Sequence, residues 1–416
     1  MEELYYASNP WWENNGFDSG ILRQEYLKEI ERTFLRKQID IIVGSRRIGK
    51  TTFLKQIIRN CLEKIKVPPK NILYLALDNP RLIKIPISEH LRNFRKIFMH
   101  SRSEKLYLFL DEIQDSLDWE RELKTIYDLE NIKIICTAST SSLIKKQGGK
   151  LTGRQIIIQI YPLTFKEFLT FKRNIPARSE DYKYERLFEE YLKVGGYPEN
   201  VLAPSDDYMN NLIEDIIARD IIRLHRVNRA DILKSLLVIL ATAVSSRISF
   251  NKISNTLGIS VDTVKEYVGY FEEAFLIKSL EKWSTSFADK IYSQKKIYLL
   301  DTGIKTILTG KEDVGAKVEN VIFLYLNKKN SNMGYYAESE RELDFVCGSF
   351  KSPSAIEVKY DSEFDWEDKK FAGIKLFIKR YPQIKDVTII SKNATKIFKK
   401  GKLKISAIPA WKYLAG

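Results

Sequence analysis

Cysteine and histidine are scarce. The 416 residues contain three of each: Cys61, Cys136 and Cys347, and His90, His100 and His225. They lie far apart and show neither a Cys-x-x-Cys pair nor a histidine metal-ligand spacing. A disulfide framework and a zinc scaffold are therefore excluded, and the chain suits a reducing, cytoplasmic setting. Long apolar runs are also missing. The strongest, Leu236 to Val244, is too short to span a bilayer. The first residues show no basic segment followed by an apolar one, so neither secretion nor membrane insertion is expected. No internal repeat or low-complexity tract is visible. Acid is in deficit: 54 Asp and Glu face 68 Lys and Arg, giving a net charge of +14 and a pI near 9.3. Such a balance favours polyanions, either nucleic acid or nucleotide phosphates, and is equally the mark of a solvated, lysine-rich surface. With 44% hydrophobic and 29% charged residues, the chain is long enough for buried cores and for about three domains.

Apolar strands and amphipathic helices alternate through the first part. Strands are expected at 40–43, 71–76, 106–111, 133–138 and 155–160. Helices are expected at 51–65, 87–100 and 119–129. This rhythm indicates a parallel sheet covered on both faces. Residues 164–224 read as helical. Residues 226–283 read as three helices followed by strand-like pieces, and an α+β unit runs from about 306 to the end. The expected division is 1–165, 166–225, 226–305 and 306–416.

Within the first region, Gly44–Thr51 reads GSRRIGKT and fits GxxxxGK[ST], placed after a short strand and at the start of a helix. Glycines let the backbone close around phosphate oxygens, and the helix N-terminus adds its positive end. The expected phosphate cradle is Gly44, Ser45, Arg46, Arg47, Ile48, Gly49, Lys50, Thr51 and Thr52. Lys50 is placed to reach the β- and γ-phosphates and Thr51 to ligate Mg²⁺. The strand Leu106–Asp111 ends in paired carboxylates, Asp111 and Glu112. Asp111 suits the Mg²⁺ shell and Glu112 the attacking water. A third strand ends in hydroxyls, with Thr137 or Ser139 as the candidate γ-phosphate sensor. Arg154 is a candidate to act in trans on a neighbour's nucleotide, or else a surface arginine.

Taken together, these motifs resemble the P-loop ATPases of the AAA+ superfamily, of the archaeal-ATPase type with a DUF4143-like C-terminal extension. The resemblance rests on NPWWENN (9–15), GSRRIGKTTFLKQ (44–56), ILYLALDNP (72–80), FLDEIQ (109–114), LTGRQ…YPLTFKEF (151–168), YLKVGGYPENV (191–201) and KKIYLLDTGI (295–304). It implies binding and hydrolysis of ATP with Mg²⁺, and leaves open a homo-oligomer. The chain departs from the family at Ala138, where a glycine-containing turn is usual.

Residues 245–283 have the rhythm of a winged helix. The expected helices are 250–257 and 261–274, with Ser260 or Asp262 as the cap and 277–283 and 295–300 as the wing. Such a unit serves either DNA or packing. The third helix exposes Asp262, Glu266, Glu272 and Glu273 beside Lys265 alone, which disfavours a groove contact. The last hundred residues set Glu319 on a helix, Asp344 on a strand, and Glu357 and Lys359 two residues apart on the next strand. Alternation puts Glu357 and Lys359 on one face. Helix, three strands, helix, strand with this E…D…ExK pattern resembles PD-(D/E)xK nucleases, a restriction-endonuclease-like α+β fold. On that resemblance Asp344 and Glu357 hold Mg²⁺ or Mn²⁺, Glu319 supports the metal, Lys359 orients the water, and DNA is the substrate. The alternative is an inactive nuclease-like domain in a nucleotide-dependent interaction switch.

Overall fold

The computed structural model describes residues 1–140, 151–177, 179–330, 332–362 and 365–416. The chain forms two compact units. The first holds residues 1–161 with 273–275, and the second holds 162–272 and 276–416. The first break therefore falls at Tyr161, a few residues before the expected one.

In the first unit, strands β1 (Ile39–Val43), β2 (Ile72–Ala76), β3 (Leu106–Asp111), β4 (Ile132–Ala138) and β5 (Gln155–Gln159) make one parallel sheet. Their order is β2-β3-β4-β1-β5. This is the arrangement of a P-loop NTPase, with β4 lying between the phosphate strand and the acidic strand. β1 and β4 are buried at every position, as expected of inner parallel strands with both faces covered. One of those positions is Lys133. Its ammonium lies 2.9 Å from Asp40 Oδ2 and also donates to the carbonyls of Thr33, Arg36 and Gln38.

The aromatic motif near the N-terminus closes the β2 edge. Asn9 accepts from Tyr74 N at 2.7 Å and donates to Tyr74 O at 3.1 Å, as an additional strand residue would. The indoles of Trp11 and Trp12 donate to Ile72 O. An edge that would otherwise offer unpaired groups is covered by side chains.

The second unit opens with Phe165–Phe171, whose Thr164 and Glu167 form a reciprocal capping box. Helices Asp181–Val194, Pro198–Leu202 and Asp206–Asp215 follow. Two of the motifs meet here. Asp301 accepts from Gly196 N at 2.5 Å, from Gly303 N at 2.8 Å and from Ile304 N at 3.3 Å. Gly195 has φ +82°, and a Cβ there would stand 2.1 Å from Asp301 Oδ1, while one on Gly196 would stand 2.5 Å from Leu163 O, so both glycines are steric requirements.

Helices Ala230–Thr242, Phe250–Leu257 and Val261–Glu273 accompany a small antiparallel sheet. Its strands are β6 (Arg247–Ile248), β7 (Ile277–Leu280) and β8 (Lys295–Leu299), in the order β6-β8-β7. Ser260, not Asp262, accepts from Thr263 N at 3.0 Å and caps the third helix.

The C-terminal sheet has six strands: β9 (Met333–Glu338), β10 (Arg341–Ser349), β11 (Ser352–Val358), β12 (Asp386–Ser391), β13 (Lys396–Lys400) and β14 (Leu403–Pro409). The order is β13-β14-β12-β11-β10-β9, with β11, β12 and β14 parallel and the remaining pairs antiparallel. Helices Val314–Lys329 and Ala372–Arg380 accompany it. The second helix does not begin at Trp366 but at Ala372. It starts later because the Asp365 carboxylate accepts from Glu367 N at 3.0 Å, a local turn that competes with helix. Among the described residues no helix is long and apolar enough to cross a membrane.

Candidate nucleotide site and carboxylate centre

The loop after β1 is shaped for close backbone approach. Gly49 has φ +92° and Arg47 φ +56°. A Cβ on Gly44 would stand 2.7 Å from Ile160 O. Ser45 and Ile48 are buried, Arg46 is half-buried, and Arg47, Thr51 and Thr52 are exposed. Lys50 opens the helix Lys50–Asn60. Its ammonium donates to Gly44 O and Ser45 O, both at 3.1 Å, and lies 3.4 Å from Glu112 Oε1.

Asp111 and Glu112 stand at the end of β3, level with the loop. Three hydroxyls serve Asp111: Thr137 donates to Oδ1 at 2.5 Å, Tyr74 to Oδ2 at 3.1 Å, and Thr51 adds a further bond. Burial pushes its carboxyl above the usual range, against these donors. Glu112 takes a left-handed backbone, φ +52°, and its N–H donates to Thr137 Oγ1 at 2.8 Å. Burial alone would raise its carboxyl, but the charges of Lys50 and Arg46 and the Gln114 bond hold it below. Gln114 donates to Glu112 Oε2 at 2.5 Å and to Ser139 Oγ at 3.2 Å. Both sensor candidates thus contact the acidic pair, Thr137 directly and Ser139 through Gln114. Tyr74 and Gln114 are additions to the residues read from sequence. Gln114 lies within the FLDEIQ motif, two residues beyond Glu112. Tyr74 carries the one side-chain hydroxyl of the strand ILYLA.

Arg154 lies elsewhere. β5 runs parallel to β1 with Ile39 opposite Gln155 and Val43 opposite Gln159. The phosphate loop leaves from Val43, so Arg154 stands at the other end of the sheet, on the order of 15 Å away at the usual strand rise. It pairs with Asp128 at 3.1 Å.

The loop residues fit a nucleotide triphosphate. The cradle closes on its own lysine, and the acidic strand presents a buried carboxylate served by hydroxyls. Thr51 and Asp111 are the oxygen donors suited to a hard divalent ion.

The second unit gathers another charged centre. Phe345 pairs with Ile356 across β10 and β11, which puts Asp344 opposite Glu357. Asp344 N donates to Glu357 Oε2 at 3.2 Å, and Val358 N donates to Asp344 Oδ2 at 2.9 Å. Lys359 lies 2.7 Å from Glu357 Oε1. The expected residues Glu319, Asp344, Glu357 and Lys359 do converge. A residue not read from sequence stands among them: Lys296 of β8 lies 2.8 Å from Glu319, 2.7 Å from Glu342 and 3.1 Å from Asp344. Tyr298 donates to Glu319 Oε1 at 2.7 Å. Burial and the Asp344 charge push Glu319 up to about 7 and Glu357 up to about 8. Asp344, which burial alone would raise, is held low by Lys296 and Lys359.

Asp344 and Glu357, the pair expected to hold a metal ion, meet here with their oxygens engaged by lysines and backbone N–H groups. Among the described residues no group of three or more His, Cys, Asp or Glu is disposed to hold a metal ion. The physical reason is that two lysine ammoniums and two backbone N–H groups already occupy the carboxylate oxygens. The residues present do not fit a resident metal.

Comparison with known proteins agrees with the first unit. An AAA domain matches residues 36–169. A domain of unknown function, DUF8612, matches residues 185–314, in place of the expected DUF4143-like extension. The uncharacterized protein MJ1544 of Methanocaldococcus jannaschii is 30% identical over 376 residues, covering 86% of this chain and 82% of that protein. The HTH-type transcriptional activator ArnR1 of Sulfolobus acidocaldarius is 26% identical over 209 residues, covering 49% of this chain and 68% of that protein. Among solved structures, the S. cerevisiae Hsp104–ADP complex matches with 18% identity and a TM-score of 0.34, covering 62% of this chain and 39% of that one.

Proposed function

The chain belongs to the same family as MJ1544, and from that premise we propose that it binds Mg-ATP and hydrolyses it to ADP and phosphate. The observation that carries this is the convergence of Lys50, Thr51, Asp111 and Glu112 on one loop, with Lys50 and Glu112 paired at 3.4 Å. Loop N–H groups and Lys50 bind the β- and γ-phosphates. Thr51 and Asp111 hold the magnesium ion, which neutralises charge on the phosphate oxygens when bound. Glu112, released from Lys50 as the phosphates take that ammonium, orients the attacking water and accepts its proton. Thr137 holds Asp111 and the Glu112 backbone in register, and Gln114 and Ser139 aim the Glu112 carboxylate. Arg154 is too far from its own loop to serve it. A role in trans requires an oligomer in which it faces a neighbour's nucleotide.

Phosphate release from Mg-ATP by the purified chain tests the reading. Wild type releases phosphate and K50M neither binds nor hydrolyses ATP. Equal rates for the two proteins would refute it.

We further propose that the nucleotide state governs a second unit that associates with DNA without cutting it. The charge of +14, the lysine-rich edge strand β13 and a relative named as a transcriptional activator support DNA as the partner. The helix–strand order and the β6-β8-β7 pairing support a winged helix, whose acidic third helix disfavours a groove contact. Helix Val314–Lys329, the β9–β11 meander, helix Ala372–Arg380 and β12 support a nuclease-like fold. The lysine-bound carboxylates speak against metal-dependent cleavage. Retention on a DNA column that falls steeply with salt, together with intact DNA after incubation with Mg²⁺ or Mn²⁺, is the expected result. Salt-independent passage through the column would favour a protein partner instead.

A further inference from the structure

An ammonium has three N–H donors. Lys296 has three carboxylate partners, one each from Glu319, Glu342 and Asp344, all within 3.1 Å. Its side chain is fully buried. The remaining oxygens of the two central carboxylates are also taken. Val358 N fills Asp344 Oδ2, while Lys359 and Asp344 N fill the two oxygens of Glu357. These groups come from four elements of the second unit: Lys296 from β8, Glu319 from helix Val314–Lys329, Glu342 and Asp344 from β10, and Glu357 from β11.

We propose that Lys296 is the resident cation of this centre. Its ammonium stands among the carboxylates where a divalent ion would otherwise be drawn, so the folded centre takes no divalent metal and instead pins the three-stranded sheet to the six-stranded one. Four carboxylates surround two ammoniums and one guanidinium, that of Arg247, which lies 2.9 Å from Glu342 Oε2, and a buried excess of negative charge is costly. Removing Lys296 therefore does more than break a contact: it leaves Glu319 and Asp344 facing one another with their shared cation gone, while Glu342 keeps Arg247. A free divalent ion is the species that can replace it, since hard oxygen donors of this kind are its preferred ligands. Sheet pairing supports the coupling. Trp283 N donates to Tyr335 O at 2.6 Å and Tyr335 N to Glu281 O at 3.1 Å, so the chain beyond β7 runs alongside β9.

The test uses full-length, nucleotide-free protein and Mn²⁺ as the probe, so its outcome is independent of the ATP reading. Bound Mn²⁺ is followed by loss of the free-ion paramagnetic resonance signal, and stability by thermal denaturation with and without Mn²⁺. Wild type is expected to show no Mn²⁺ site that depends on Asp344 and no Mn²⁺-induced shift in melting. K296M is expected to melt lower, to gain a Mn²⁺ site, and to recover melting temperature when Mn²⁺ is added. K296M/D344N is expected to lose both the site and the recovery. If K296M does not fold, the charge-matched K296M/E319Q replaces it with the same expectations. A wild-type Mn²⁺ site abolished by D344N overturns the proposal. So does a folded K296M, or K296M/E319Q in its place, that gains no Mn²⁺ site.

Discussion

Tyr74 donates its phenol proton to Asp111 across 3.1 Å, and the backbone of the same tyrosine is paired in both directions with Asn9. The edge of the first sheet is thereby tied to the carboxylate at its centre. Asp111 is buried and raised by that burial, so each hydroxyl donor keeps it closer to the ionised form.

Tyr74→Phe removes one of those donors while leaving the ring in place. The expected cost in stability is about 1 kcal/mol. The sharper expectation is functional: the Mg²⁺ concentration giving half-maximal phosphate release rises, and high Mg²⁺ restores the rate. A magnesium curve identical to that of wild type would remove Tyr74 from this role.

Lys133 and Asp40 form a buried ion pair in the middle of the sheet. K133M should destabilise the first unit by about 3–5 kcal/mol, because it leaves a carboxylate buried without its cation. D40N/K133M should recover part of that loss. A double-mutant cycle by denaturant unfolding gives the coupling directly, and additive losses would show that the pair is not coupled.

The strand and helix boundaries of the first unit were largely legible, because inner parallel strands are continuous apolar runs ended by glycine, acid or hydroxyl residues. Gly44–Thr51 and the Asp111–Glu112 pair were legible for the same reason: their chemistry is local. The purpose of NPWWENN was not, since Asn9 and the tryptophans act on backbone atoms of Ile72 and Tyr74, sixty or more residues away. The two glycines of YLKVGGYPENV likewise make sense only in the fold, Gly195 beside Asp301 and Gly196 beside Leu163. Lys296 escaped because consecutive lysines at the start of a strand read as a solvated end. Period two places Lys296 on the same face as Tyr298, and that shared face is the signal that was available. That Glu319, Asp344, Glu357 and Lys359 come together was legible, but what holds them was not, because Lys296 lies on a different sheet.

Asp301 supplies a pH test. Burial raises its carboxyl to about 6, against three backbone N–H donors that favour the charged form. The folded state therefore holds this proton at pH values where the unfolded chain, near the usual aspartate value of about 4, has lost it. Between those limits the folded state binds more protons, so this group's contribution falls as pH rises from about 4 to 6 and is constant above. The expected span is roughly 3 kcal/mol. Asp301→Asn, which cannot titrate, is less stable than wild type because its amide confronts Gly196 N–H. That deficit should shrink across this window in thermal melts, and a deficit independent of pH would contradict the assignment.

The central claim is that Glu112 activates water for attack on a nucleotide held by Lys50. Its most direct test is ATP affinity and phosphate release measured on the same sample of Glu112→Gln with Mg²⁺. Retained ATP binding with turnover reduced about 10²–10⁴-fold is the expected result. Undiminished turnover in that variant, or a wild-type protein with no affinity for Mg-ATP, would contradict it.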